Sequence, residues 1–502
     1  MKILFIKNSH AQTLSSWIGN GIGIIATIAH NEGYDVKVID NNALYKVYED
    51  KDIIKIIKSF KPDVLAYSIT LHNSYPTYQQ IPKIKSLFPS LVIVGGGIHM
   101  KYCFEEALHY GVDIVINREG EKVILPLLKH LEKRGKEYKK GLEKIAGVSF
   151  VRENGKFYFA KEFPMLKNLD EVPIVNYKLF NIKDFIRGEV PESGVFVLTG
   201  QRGCPFRCTF CSDEIQRADN RVASAEWMFK NVKDLYENYN VQDLFIGDNN
   251  ITLFKERLTE FCEKMINSGL NKKVSLTCQT TTRFPIDEEL IKLMKDAGFN
   301  KVVFGIERLT PYSLKMINKE QSLKIIEDIL SLVRKHNVEP SIFAMVGFPF
   351  ETKELLEEEM KLFLKLTKYA KSVYLSVLTP IPGTIYYDEY PKIKEWYLDK
   401  EEYLIRKTYF TTVLDGSVFH SIKKNFFNLS KETQKAMIYY YHFFKEINQN
   451  SASNNKIVFL LRKVNFLIAK ISQVIFAISP PTEFMIFKKL RILRHKNRSK
   501  CL

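Results

Sequence analysis

Val195-Phe196-Val197-Leu198-Thr199-Gly200-Gln201-Arg202-Gly203-Cys204-Pro205-Phe206-Arg207-Cys208-Thr209-Phe210-Cys211 sets an apolar strand directly ahead of a loop that carries three cysteines, Cys204, Cys208 and Cys211, spaced by four and three. A strand that runs into a functional loop is the unit of α/β barrels, whose chemistry sits at the carboxyl ends of the strands. Three thiolates on one short loop can wrap a single iron–sulfur cluster, and since most clusters take four Cys, one iron is left for a substrate or cofactor. Two other readings compete. Chance clustering fits poorly with only seven Cys in 502 residues. Structural zinc wants four ligands, commonly as two separated pairs. This loop has no His, and Cys103, Cys262, Cys278 and Cys501 are scattered without a pairing pattern.

Downstream, strand and helix signals alternate. Strands are predicted at Val195–Thr199, Asp243–Gly247, Val274–Gln279, Lys301–Ile306, Ser341–Gly347 and Ser372–Leu378. Six βα units predict a partial barrel. Several of its strand ends carry polar motifs: Gly247-Asp248-Asn249-Asn250, Gly305-Ile306-Glu307, Gly347-Phe348-Pro349-Phe350-Glu351-Thr352 and Thr379-Pro380-Ile381-Pro382-Gly383-Thr384. Rim carboxylates such as Asp248 and Glu307 can bind hydroxyls or an ammonium through charge-assisted hydrogen bonds. A helix-start or solvated role is open for each. Arg283, after Thr280-Thr281-Thr282, can anchor a carboxylate or simply flank a helix.

Upstream, Lys2–Ile6, Asp35–Ile39, Asp63–Ser68, Leu91–Gly95 and Val112–Ile116 are short apolar runs of the kind that form buried parallel strands. Helix-length amphipathic segments separate them: Gly21–His30, Lys51–Phe60, Tyr78–Phe88 and Phe104–Tyr110. Such units predict an open doubly wound sheet with its ligand at the carboxyl ends of the strands. Ser68 and Thr70 offer hydroxyls there, and Gly95, Gly96 and Gly97 permit close approach of backbone to a flat ligand or phosphate, with His99 following. The first βα turn, Asn8-Ser9-His10-Ala11, lacks the Gly-x-Gly-x-x-Gly fingerprint, which disfavours a dinucleotide. Gly147–Val151 and Phe157–Phe159, joined through Asn154-Gly155, read as a hairpin, followed by a linker. The divisions expected are thus 1–140, 141–190, 191–390 and 391–502.

Composition agrees. Apolar residues make up 45% and charged residues 26%, enough to bury a sizeable core and unlike a disordered chain. Cysteine is too sparse for a disulfide scaffold. The start, Met1 to Ile6, lacks the length and cleavage site of a signal peptide. No uncharged apolar stretch reaches the ~18 residues of a spanning helix. A reducing cytoplasm is expected. The net charge of +17 is concentrated in Ser453–Leu502, which holds eleven Lys and Arg against the single acid Glu483. The excess therefore says little about the body of the chain, and no nucleic-acid partner is expected. Residues 391–502 read as a mainly helical region, rich in Tyr and Phe at first and basic at its end. Ile457–Leu461 and Val464–Ile478 can form a basic amphipathic helix that lies on a membrane surface, or one that covers the open side of the barrel.

The Cys204–Cys208–Cys211 loop on a barrel strand resembles the radical S-adenosylmethionine superfamily. The resemblance implies a four-iron, four-sulfur cluster on these three Cys, whose open iron chelates S-adenosylmethionine. It implies cleavage to a 5′-deoxyadenosyl radical that abstracts hydrogen from unactivated carbon, with electrons from an external one-electron reductant of flavodoxin or ferredoxin type. Phe210, the aromatic before the last Cys, is implied to pack near the adenine, though it can equally pack beside the loop. The ordered strand-end motifs, with Ala297-Gly298, resemble the cobalamin-associated class. One departure is Asn249, where many members carry a second Asp. The first unit resembles that class's cobalamin-binding domain through Ser68-x-Thr70, Gly95-Gly96-Gly97-x-His99 and Arg118-Glu119-Gly120-Glu121. The Asp-x-His-x-x-Gly loop that supplies a cobalt ligand elsewhere is absent, so cobalt is expected to lack a protein His; His99 can also serve in capping or packing. The fold implied is α/β: a Rossmann-like cobalamin-binding domain, then a partial (β/α)6 TIM-type barrel and a mainly helical C-terminal region. The activity implied is methylation of an unactivated carbon of a small-molecule or lipid-like substrate. Alternatives are a radical cyclase, oxidoreductase or carbon–carbon coupling enzyme on a lipid-like or tetrapyrrole-like substrate. Methylthiotransferases are disfavoured because only Cys103 precedes Cys204. The non-enzyme alternative is a nucleic-acid-binding protein with a structural cluster.

Overall fold

A computed structural model describes residues 1–8, 18–42, 46–185, 196–211, 220–284, 286–390, 395, 398, 399 and 427–450. The N-terminal apolar runs form β1 (Lys2–Lys7), β2 (Asp35–Asp40), β3 (Val64–Ser68), β4 (Val92–Gly96) and β5 (Ile114–Ile116). Helices α1 (Asn20–Asn31), α2 (Asp50–Phe60), α3 (Leu71–Leu87), α4 (Phe104–His109) and α5 (Ile124–Arg134) follow them in turn. The strands pair parallel in the order β2-β1-β3-β4-β5. This doubly wound order reverses between β1 and β3, where ligands settle at the carboxyl edge. The predicted hairpin is β6 (Val148–Val151) with β7 (Phe157–Tyr158). It extends the same sheet antiparallel, next to β5, to seven strands. Periodicity predicts the hairpin but not its neighbour, since pairing with β5 is a long-range contact.

One helix starts seven residues before its predicted position. The α3 N-terminus is fixed by a capping box: Thr70 accepts from the Asn73 backbone, and the Asn73 side chain accepts from Thr70 N at 2.7 Å. Leu71, Tyr75, Tyr78, Ile81 and Ile84 are buried along this helix. Cap and buried face hold it together despite Pro76 and Pro82 in its interior.

The second half begins with β8 (Val197–Leu198) and two very short strands, β9 (Gln201–Arg202) and β10 (Arg221–Val222), paired antiparallel on either side of the Cys loop. Strands β11 (Asp243–Ile246), β12 (Ser275–Thr280), β13 (Phe299–Glu307), β14 (Glu339–Val346) and β15 (Ser372–Val377) then alternate with α6 (Ala225–Tyr239), α7 (Lys255–Asn267), α8 (Glu288–Asp296), α9 (Pro311–Met316), α10 (Leu323–Lys335) and α11 (Lys353–Leu366). The parallel order is sequential, β8-β11-β12-β13-β14-β15, with β8 and β15 left as edges, as in a partial barrel. Helices α12 (Ile385–Glu389) and α13 (Lys431–Asn450) follow. The latter packs on β15 and α11 through buried Met437, Ile438 and Phe444, so it covers that edge. The expected amphipathic segments at 457–478 and the basic end lie outside the described residues. Among the described residues, no helix is long and apolar enough to cross a membrane.

Candidate functional site

The Cys loop leaves β9 through Gly203, whose φ of +87° suits glycine. Loops from four other strands or helices brace it. Beyond β11, Asn249 Nδ2 donates to Gly203 O at 3.3 Å, and Asn250 Nδ2 donates to Cys204 Sγ at 3.2 Å. Beyond β12, the Arg283 guanidinium lies 4.3 Å over the Phe206 ring and donates to Asn318 O at 2.9 Å. Beyond α9, Ile317 O accepts from Thr209 N at 3.1 Å, and Asn318 Nδ2 donates to Arg207 O at 2.8 Å. From α12, Tyr386 Oη stands 3.1 Å from Thr209 Oγ1. Arg283 thus supports the Cys loop in this structure rather than standing as a free rim cation. The three thiols, Cys204, Cys208 and Cys211, are half-buried, whereas Cys103, Cys262 and Cys278 are buried. A tetrahedral zinc with bonds of ~2.3 Å would draw sulfurs to ~3.8 Å apart. Among the described residues, the group with three ligating atoms within 4.8 Å of one another is His99, Cys103 and Glu106, not the loop's thiols. An amide N–H aimed at Cys204 Sγ and three half-buried thiols on one short loop fit the ligation of an iron–sulfur cluster.

Phe210 packs edge-on against Phe348, with ring centres 6.0 Å apart, beside Ile317, Leu378 and Tyr386. It therefore touches the loop after β14. Glu307 closes β13 with φ of +68°, where the register against β14 shifts. A non-glycine residue in that region costs roughly 1–3 kcal/mol and marks functional positions. Burial raises the Glu307 pKa, and Lys319, with Nζ 3.8 Å away, partly offsets this. Gly305 gives this pair room: a Cβ there would stand 3.1 Å from Glu307 Oε1 and 3.5 Å from Lys319 Nζ.

Asp248 departs from the sequence expectation. It is 0% exposed. Oδ1 accepts from Gly200 N at 2.6 Å, and Oδ2 accepts from Arg257 Nη1 at 2.7 Å. With one protein hydrogen bond on each oxygen, this carboxylate holds the base of the Cys loop. Behind Glu307 lies a group that strand-end motifs did not reveal. Arg308, also 0% exposed, pairs with Glu351, lies 3.5 Å from Glu359, and donates to Met345 O at 3.0 Å. Glu351 also accepts from Gly347 N at 2.5 Å, and Glu359 from Leu309 N at 2.7 Å and Thr310 Oγ1 at 2.6 Å. One buried cation thus ties the loop after β13 to the loop after β14.

At the first sheet, pairing sets Tyr67 beside Gly95 and Ser68 beside Gly96. Gly97 has φ of +101°, and a Cβ there would lie 2.5 Å from Ile69 O, so only glycine lets the two loops close. A Cβ on Gly96 would meet nothing within 4 Å, which leaves that backbone open to a flat ligand. Thr70 serves as the cap of α3. The structure does not bring the His99 ring to this open edge. It is 3% exposed, and Nε2 is 3.1 Å from Glu106 Oε1. The packing role fits that placement.

The carboxyl edges of the two sheets meet. Leu71, after β3, packs on Ile381, Tyr387 and Tyr390. Tyr102, after β4, lies so close to Gly383 that a Cβ there would be 2.3 Å from its ring. After β5, Glu121 accepts from Arg202 Nη2 at 2.5 Å, and Glu119 takes both Arg202 Nη1, at 3.1 Å, and Arg221. Burial alone would raise the Glu119 pKa, but its bond to Arg221 and the charges of Arg202 and Arg221 hold it below the usual range. Arg202 stands two residues before Cys204, so this clamp reaches from the first sheet to the Cys loop. A sequence reading found the two Glu but not their Arg partners.

These placements can be set beside known proteins. The model of the Radical SAM superfamily matches residues 198–363, and that of the B12 binding domain matches residues 11–127. An uncharacterised methyltransferase of Pyrococcus horikoshii is 30% identical over 76% of this chain and 82% of its own. The anaerobic magnesium-protoporphyrin IX monomethyl ester cyclase of Cereibacter sphaeroides is 25% identical over 72% of this chain, which spans 59% of that protein. The cobalamin-dependent S-adenosylmethionine radical enzyme OxsB, solved with aqua-cobalamin and S-adenosylmethionine, shares the fold. Its TM-score is 0.63 at 18% identity, over 80% of this chain and 56% of that one. With both family models in the order that the two sheets follow, the chain belongs to the cobalamin-dependent radical S-adenosylmethionine enzymes, whose cofactors are a four-iron, four-sulfur cluster, S-adenosylmethionine and cobalamin.

Proposed function

We propose that this enzyme methylates an unactivated carbon of a small-molecule or lipid-like substrate enclosed between the two sheets. One observation carries the reading: the loops at the carboxyl edge of the first sheet touch those at the carboxyl edge of the second, so ligands at the two edges face each other. When bound, the cofactors supply reductive cleavage of S-adenosylmethionine to a 5′-deoxyadenosyl radical and a cobalt-carried methyl group. The chain's own residues do the holding. Cys204, Cys208 and Cys211 would hold the cluster. Glu307, balanced by Lys319, meets a cationic or hydroxyl group of S-adenosylmethionine, while Phe210 lies against its adenine. Ser68 and the loop of Gly95, Gly96 and Gly97, whose backbone is open at Gly96, would receive the corrin. The aromatic packing of Phe348, Phe350 and Tyr386 excludes water from the radical. Residues 1–140 are the cobalamin unit, 141–190 the hairpin and linker, 191–390 the barrel, and 391–502 the C-terminal region.

The test uses the full chain, reconstituted anaerobically with iron, sulfide and cobalamin, then given dithionite and S-adenosylmethionine. Methyl transfer predicts S-adenosylhomocysteine beside 5′-deoxyadenosine by mass spectrometry, because S-adenosylmethionine used as a methyl donor would leave the first and radical formation would leave the second. A second reading, ring closure, is favoured by the cyclase relative. It predicts 5′-deoxyadenosine alone, and that result would displace methyl transfer. An external one-electron reductant of flavodoxin or ferredoxin type and a reducing cytoplasm suit an oxygen-sensitive cluster. Peripheral membrane contact rests on the basic composition of residues 453–502. It predicts sedimentation with phosphatidylserine vesicles that a chain ending at Asn455 loses; equal sedimentation of both would discard it.

A further inference from the structure

We infer that Asn250 sets the reduction potential of the cluster through a hydrogen bond to the Cys204 sulfur. The inference rests on cluster ligation by Cys204 and goes beyond it by naming which side chain adjusts the metal group's electron affinity.

The geometry is specific. The Asn250 amide nitrogen lies 3.2 Å from Cys204 Sγ, within hydrogen-bond reach of sulfur. An amide NH₂ can only donate. A thiol can both donate and accept, whereas an iron-bound sulfur has only lone pairs to offer, which suit a donor such as this one. The nitrogen, not the oxygen, faces the sulfur here. Asn250 is 6% exposed, so water competes little for the donor.

The backbone keeps the amide in place. Asn250 N donates to Gln201 Oε1 at 3.0 Å, and Gln201 is itself oriented by the bond from its Nε2 to Asn220 Oδ1 at 2.9 Å. Asn250 O accepts from Leu253 N at 3.1 Å and opens the short turn Ile251–Leu253. Two residues earlier, Asp248 is fixed by Gly200 and Arg257. The chain is therefore anchored on both sides of the donor. Its neighbour Asn249 takes a different task and bonds the Gly203 carbonyl. One turn thus places one amide on backbone and the next on sulfur.

The consequence follows from charge. Reduction adds an electron that is shared between iron and its sulfur ligands. A donor hydrogen bond withdraws density from the thiolate and stabilises the reduced form more than the oxidised one, which raises the potential. Asn250 therefore eases electron delivery to a cluster that must be reduced before S-adenosylmethionine can be cleaved.

The experiment is a potentiometric titration of the reconstituted full chain without S-adenosylmethionine, followed by electron paramagnetic resonance of the reduced cluster. Asn250→Ala is expected to move the midpoint to a more negative potential. Asn250→Asp, nearly the same shape but with an anion in place of the donor, should move it further the same way. Asn249→Ala, which loses a bond to carbonyl and not to sulfur, is expected to stay at the parental midpoint. If Asn250→Ala takes up no cluster, Asn250→Asp carries the test alone. A parental midpoint in either loaded Asn250 variant overturns the inference while leaving the cluster reading intact. A parent chain that binds no cluster overturns both.

Discussion

Cys208→Ala in the anaerobically reconstituted full chain is expected to remove the broad visible absorption of the cluster and to lower 5′-deoxyadenosine formation at least ~10³-fold, about 4 kcal/mol in the barrier. Cys204→Ala and Cys211→Ala should do the same, since three ligands leave no spare. The melting temperature of the chain before reconstitution should hardly move. These thiols are half-buried, and the loop is held by partners other than sulfur: Ile317 O, Asn318 Nδ2 and Asn249 Nδ2. Cys262→Ala makes the opposite contrast. Its thiol is buried in the core among the barrel helices, where burial raises its pKa and keeps it neutral. Losing it there should cost ~1 kcal/mol of stability by cavity formation and leave cluster and product intact. Retention of product by any of the three loop variants would sink the cluster assignment.

How far the sequence was readable depends on the range of the interaction. The predicted strands lie within about two residues of β1 to β6 and β11 to β15, because apolar runs between polar turns are local signals. The Cys loop was readable because its spacing is chemical in itself. What escaped was pairing between distant residues. Asp248 looked like a rim carboxylate, but its partners Gly200 and Arg257 are 48 and 9 residues away. His99 follows the open glycines, yet Glu106 draws its ring inward. Strands β9 and β10 are two residues each, too short for any periodicity, and they brace the Cys loop. Arg202 and Arg221 carry no signal until Glu119 and Glu121 are placed opposite them. Arg308 follows a motif residue, but its carboxylates stand 43 and 51 residues ahead.

That last group makes the largest stability prediction. Arg308→Met removes the one positive charge between Glu351 and Glu359 in a pocket with no exposure on either side of the pairs. Removing one partner of a buried ionic group costs ~3–5 kcal/mol because the other charge stays desolvated and unpaired. Against a total stability of ~5–15 kcal/mol, this is a large fraction. The loss should also depend on pH. In the parent, burial already raises the Glu351 pKa against the pull of Arg308. Without Arg308 it rises further, so the folded variant retains a proton that the unfolded chain releases above pH ~4.3. Stability then falls as pH increases through that window, since the folded state binds more protons there. Urea denaturation should therefore show a smaller gap between variant and parent at pH 5 than at pH 8. The triple change with Glu351→Gln and Glu359→Gln should recover part of the loss at pH 8, because neutral amides need no counter-charge while Gly347 N and Leu309 N keep acceptors. A gap of the same size at pH 5 and pH 8 would mean that packing of Arg308 against Phe348 and Phe350, 5.6 and 6.0 Å from its guanidinium, is what matters. Charge neutralisation would then be excluded as the reason for this arginine's position behind Glu307.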